Sequence, residues 1–69
     1  MDIKIKFGLK IKELRKIKKI SQEQFAFKSK LHRTYISDIE RGIKNISLEN
    51  IEKIALALEI NLSDLFNNL

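Results

Sequence analysis

This chain of 69 residues has no cysteine, no proline and no tryptophan, and it carries two glycines and a single histidine. Without cysteine there is neither a disulfide framework nor a thiolate metal site to staple it. One histidine alone supplies neither a metal-ligand cluster nor a nucleophile–base pair, and no glycine-rich phosphate loop can be placed. The expectation is a protein that is not an enzyme and uses no cofactor and no metal. The missing prolines and scarce glycines fit helices joined by tight turns. No apolar run approaches the roughly 20 residues of a membrane span. Lysines interrupt every apolar stretch near the N-terminus, so no signal-peptide core is present. These absences point to a soluble, cytoplasmic protein without membrane association.

What is present is charge, unevenly placed. Residues 1–19 carry eight Lys/Arg against two Asp/Glu, whereas residues 34–69 carry three against six; the net charge is +5. Such polarity gives one side suited to a polyanion and leaves the other for different contacts. The alternative is that the lysines only solvate the first helix. A chain this short buries a small core, so packing, helix caps or a second copy of the chain must supply the remaining stability.

Apolar spacing predicts five helices. Phe7, Ile11, Leu14 and Ile17 follow helical periodicity over about residues 4–18. Ile3 and Ile5 alternate with lysines, but no partner strand follows. Ser21 and Gln24 form a capping box, with Ile20 and Phe25 in staple positions, so a helix starts at Gln22 and ends near Ser29. A third helix spans Arg33–Arg41 with Ile36 and Ile39 inward, and Gly42 closes it. Ser47 caps a fourth helix whose expected buried stripe is Leu48, Ile51, Ile54, Ala55 and Leu58. Asn61–Leu62 read as a turn, and Ser63 as the cap of a last short helix holding Leu65 and Phe66. The expected fold is all-α, one compact domain over residues 1–69, with a helix-turn-helix at 21–42.

A helix-turn-helix of this shape puts the tip of its second helix into the DNA major groove. The planar fork of Arg33 fits guanine O6 and N7, a contact worth about 1–3 kcal/mol of discrimination. Thr34 offers a hydroxyl and a methyl for a base edge or a thymine methyl. Ser21 and Gln22 place backbone N–H groups and a helix dipole toward an anion. Asp38 repels phosphate, so it reads cytosine or braces Arg33 or Arg41. The ring of Tyr35 is free to pack on the second helix with its hydroxyl at the surface. His32 reads as a turn residue.

The run S-Q-E-Q-F-A, a hinge, and Y-I-S-D-I-E-R-G resembles the lambda-repressor-like (XRE/Cro) helix-turn-helix family. The likeness extends from Phe7-Gly8 and Leu14-Arg15 to Leu65-Phe66. R-T-Y-I-S-D-I-E-R-G followed by N-I-S-L-E-N-I-E-K-I-A looks most like the controller proteins of restriction–modification systems. The resemblance implies that Arg33, Thr34, Ser37 and Asp38 face bases. It implies that Gln22 contacts a phosphate and braces the third helix. Tyr35 would lie near the DNA backbone and groove edge, and Lys44 and Asn45 would reach phosphate or flanking bases. Arg15 and Glu40 correspond to an interior ion pair. Lys30 and Lys19 stand where the family usually has glycine, and His32 stands where Ser or Asp is the usual cap.

The function expected is a sequence-specific transcriptional regulator, a controller protein binding its own pseudo-palindromic operator as a homodimer, with RNA polymerase as a further partner. An antitoxin or phage-type repressor of the same fold is the alternative, and a protein-interaction module without DNA binding is another. The dimer surface is expected among Leu56, Leu58, Ile60, Leu62, Leu65, Phe66 and Leu69, which together exceed what one small core holds.

Overall fold

Each helix begins at a side chain that closes its own first turn. The computed structural model describes residues 2–69; Met1, at the edge of the expected 1–69 domain, lies outside the described residues. The elements are α1 (Ile3–Ile17), α2 (Gln22–Ser29), α3 (Arg33–Glu40), α4 (Leu48–Leu58) and α5 (Leu62–Leu65), with no strand among the described residues. Their caps are Asp2, Ser21, His32, Ser47 and Asn61, each accepting a backbone N–H two or three residues on. Every cap thereby satisfies a donor that the first helical turn leaves without a partner. At Ser21 the capping box is complete, with Gln24 returning a side-chain bond to the Ser21 N–H.

Helix ends are closed as regularly as helix starts. Lys19, Lys30, Gly42 and Glu59 all adopt the left-handed conformation, with φ of 59°, 58°, 77° and 58°. The apolar residue after each one, Ile20, Leu31, Ile43 or Ile60, donates its N–H to a carbonyl five residues back. This is the Schellman closure, normally built on glycine. Three of these four positions lack glycine and carry roughly 1 kcal/mol of strain each.

The core is a single cluster of Phe7 and Ile11 from α1, Phe25 and Ala26 from α2, Ile36 and Ile39 from α3, Ile54, Ala55 and Leu58 from α4, and Leu65 from α5. Helix α1 packs on α3, α2 on both α3 and α4, and α4 on α5. Gly8 lies in the middle of α1, where a Cβ would overlap the Ile39 carbonyl oxygen and press on that of Glu40. It serves close approach of two helices, not a turn. The turn glycine is Gly42, which faces the Ile5 backbone.

Several sequence expectations need correction. Helix α1 starts at Ile3, one residue before the expected start, because Asp2 caps it; Ile3 and Ile5 are helical, in line with the rejection of a strand there, and exposed. The last helix is capped by Asn61 rather than Ser63; Asn61 Oδ1 accepts from both the Asp64 N–H and the Ser63 hydroxyl, so Ser63 lies inside the first turn. Leu48 is not part of the buried stripe: it is the first residue of α4, overhangs the core and is 83% exposed. Leu58 and Leu65 are 1% and 0% exposed, so both belong to the core and neither is free for a dimer surface. His32 is more than a turn residue, since its ring caps α3.

Replacing Gly8 by Ala should cost about 2–3 kcal/mol, because the obstruction is backbone. The thermal midpoint should then fall by roughly 10–20 °C. Lys30→Gly should act in the opposite direction, raising the midpoint by roughly 2–6 °C through relief of left-handed strain. Calorimetry on the three proteins checks both signs.

Candidate nucleic-acid interface

The orientation of α3 follows from what it buries. Ile36 and Ile39 are fully inside, and Glu40 is buried at the end of the helix. Arg33 and Thr34, at the opposite end, are exposed. One short helix therefore anchors by its last turn and presents its first.

The anchor is the Glu40 carboxylate. Arg15 Nε of α1 donates to Glu40 Oε2 at 2.7 Å, and Arg15 Nη2 donates to Oε1 at 3.0 Å. Gln22 Nε2 of α2 donates to the same Oε1 at 3.1 Å. Arg15 Nη1 donates to the Ile20 carbonyl at 2.9 Å, tying the α1–α2 turn into the set. Side-chain exposures of 11% and 3% mark the pair as interior. The hydrogen bond to Glu40 raises the Arg15 pKa above its ordinary value; burial opposes this and the Glu40 charge adds to it. A raised cationic pKa stabilises the fold below the ordinary arginine value wherever Glu40 carries its charge. That contribution is lost when pH climbs past the raised value in strong base.

The remaining site residues fall into groups. Ser37 and Asp38 are half-buried on α3. Asp38 Oδ1 lies 3.6 Å from Arg41 Nη1, so of the partners open to it, Arg41 is the one it meets. Arg33 takes part in neither ion pair found among the described residues. The Tyr35 hydroxyl reaches α4, where it accepts from Asn50 Nδ2 at 3.1 Å, while the ring packs against the core. The Lys44 ammonium sits 5.6 Å above the Tyr35 ring centroid, within cation–π range. Tyr35 thereby sets the position of the loop after α3, in which Lys44 is half-buried and Asn45 exposed. Ser21 is exposed, but its backbone N–H is occupied by Gln24 Oε1 at 2.8 Å and is not free for an anion, a correction to the sequence expectation.

Asn50 is the residue that sequence reasoning missed. It looks like an ordinary first-turn position after Ser47, and nothing in its spacing signals a bond to a tyrosine 15 residues earlier. Among the described residues no cluster of three His, Cys, Asp or Glu could hold a metal ion. Four of the nine acidic residues, Glu49, Glu52, Glu59 and Asp64, belong to α4, its cap and α5.

Two helices joined by a left-handed closure, the second exposing its first turn, define a helix-turn-helix protein. A helix-turn-helix family model matches residues 11–65. The control protein C.MunI of Mycoplasma sp is 55% identical over 69 residues, covering 99% of this chain and 93% of the relative. The restriction–modification controller protein C.AhdI from Aeromonas hydrophila superposes with a TM-score of 0.89 at 49% identity, covering 91% of this chain and 96% of that one. The controller protein C.Esp1396I, solved as a tetramer with its natural 35-base-pair operator, superposes with a TM-score of 0.89 at 38% identity, covering 96% of this chain and 87% of that one. Its structures have also been solved with an Arg, a Thr or a Tyr at three consecutive positions replaced. This chain belongs to the helix-turn-helix family, and within it to the restriction–modification control proteins.

Glu40→Gln should leave Arg15 buried with no charged partner and cost about 3 kcal/mol. The double variant Arg15→Met/Glu40→Leu should be less destabilised than Glu40→Gln alone, because no unpaired charge remains inside. Urea denaturation of both variants against wild type tests this; a double variant that is the less stable of the two contradicts it.

Proposed function

We propose that this DNA-binding regulator of the control-protein family binds its own operator as a two-fold dimer. In this reading Arg33 and Thr34 contact base edges, and Ser37 and Asp38 border the same surface. Gln22, Tyr35, Lys44 and Asn45 hold phosphates and flanking positions, and Ser21 offers them its hydroxyl and not its occupied N–H. The whole chain, residues 1–69, acts as the single DNA-binding domain. The observation that carries the reading is the exposed Arg33-Thr34 tip on a helix whose far end is fixed by a buried carboxylate. The sequence Arg33-Thr34-Tyr35 also repeats the three residue types, in the same order, that were substituted in C.Esp1396I.

Dimerisation follows from the size of the reading head. One short helix spans only a few base pairs, so a pair of heads on half-sites about one helical turn apart supplies the required specificity. On the acidic C-terminal half, Leu48, Ile51, Leu62 and Phe66 line one open groove, and Leu56 is exposed as well. These residues support a dimer face there. RNA polymerase is the protein partner that a regulator bound beside a promoter would meet.

Titrating wild type, Arg33→Ala and Lys44→Ala against the chain's own promoter region and against random duplex separates base reading from phosphate holding. Arg33→Ala should lose about 1–3 kcal/mol per half-site on the operator and little on random DNA. Lys44→Ala should weaken both duplexes alike and reduce the slope of log K against log salt by about 1 per half-site. Equal losses on both duplexes for Arg33→Ala would remove it from the base-reading role.

A further inference from the structure

Building on the DNA-binding reading, we infer that His32 is a pH-sensitive positioning residue: its neutral imidazole caps the recognition helix and holds Arg33-Thr34 in place, and its imidazolium does not. The cap is visible as a bond from the Thr34 N–H to His32 Nδ1 at 3.1 Å, with His32 in the extended conformation of an N-cap. The other four helices are capped by Asp2, Ser21, Ser47 and Asn61, whose side-chain oxygens accept throughout the neutral pH range. Only α3, the helix that carries the reading tip, depends on an acceptor that protonation abolishes.

The chemistry leaves one arrangement. A ring nitrogen that accepts from a backbone N–H bears no proton, so in the capped state the imidazole proton is on Nε2. Protonation turns Nδ1 into a donor facing a donor. It also places a cation at the positive end of the helix dipole. Thr34 then loses the partner of its N–H, and Arg33 and Thr34 are the first two residues of the frayed turn. The chain entering the cap is already strained, with Lys30 left-handed at φ 58°, and His32 itself is exposed. The charged groups on the elements around it are Glu23, Lys28 and Lys30 on α2 and its closure, Arg33, Asp38, Glu40 and Arg41 on α3 and its cap, and Glu49, Glu52 and Lys53 on α4, which packs against α2. Among the described residues none of them pairs with the imidazole.

His32 is the only histidine of these 69 residues, so its ring signals are unambiguous. The test compares wild type, His32→Ser and His32→Ala at about pH 8 and about pH 5, the range over which histidine changes charge. The readouts are ring 15N shifts, the protection factor of the Thr34 amide, and the ratio of affinities for the promoter duplex and random duplex. Serine caps without titrating, and alanine does not cap. Wild type should track the serine variant at pH 8, with its proton on Nε2, and the alanine variant at pH 5. Its Thr34 protection and its affinity ratio should each fall about fivefold between the two, the effect of losing a typical cap. Wild type following either variant at both pH values, or a ring proton on Nδ1 at pH 8, would overturn the inference. Wild type failing to distinguish the promoter duplex at pH 8 would instead count against the DNA-binding reading, and the ring shifts and Thr34 protection would still decide the cap.

Discussion

The fold turns on one buried carboxylate. Glu40 stands at the end of α3 and is reached by Arg15 from α1 and Gln22 from α2, so three helices share a single acceptor. A carboxylate taken out of water tolerates little displacement of its donors, because a lost partner leaves a desolvated charge. Gly8 adds a second constraint at the same place, bringing α1 against the carbonyls of Ile39 and Glu40. Between them, the ion pair and the backbone contact fix where α3 ends and at what angle it leaves the core.

The proposed reading tip, Arg33-Thr34, lies at the other end of that helix. Eight residues separate into inward Ile36 and Ile39, a buried Glu40 and an outward first turn, so rigidity is supplied at one end and chemistry at the other. The loop after α3 is steadied separately, by Lys44 over the Tyr35 ring and by Asn50 on its hydroxyl. The excess of cations in α1 and of acids beyond α3 gives the molecule an electrostatic direction that complements this division. Apolar side chains left open on α4 and α5 form the surface proposed for a second copy.

Local features were the legible ones. The capping box at Ser21, the cap at Ser47, the closure at Gly42 and the helical spacings of Phe7 with Ile11, Ile36 with Ile39, and Ile51 with Ile54 and Leu58 depend on residues a few positions apart, and sequence carries them directly. The helix-turn-helix and the all-α class follow from those signals alone. What escaped depends on tertiary placement or on competition between equal caps. Asn61 and Ser63 are both good N-caps, and only the fold decides that Asn61 acts. Leu65 looks like a surplus leucine until the inner faces of α4 and α5 meet, whereas Leu58 was readable in the α4 stripe, and Leu48 looks buried until the end of the core is located. Of the proposed site, residue types and order were readable. The Asn50–Tyr35 bond and the direction in which Tyr35 turns were not, because they join segments with no shared periodicity.

The central claim is that a fixed α3 presents Arg33-Thr34 to bases in a two-fold arrangement. Selection of bound sequences from a random duplex pool tests it most directly. Enrichment of two inverted half-sites, their centres about one helical turn apart and each holding a guanine within reach of Arg33, is the expected result. Retention of duplexes without any enriched sequence would contradict it, as would enrichment of one half-site without an inverted mate.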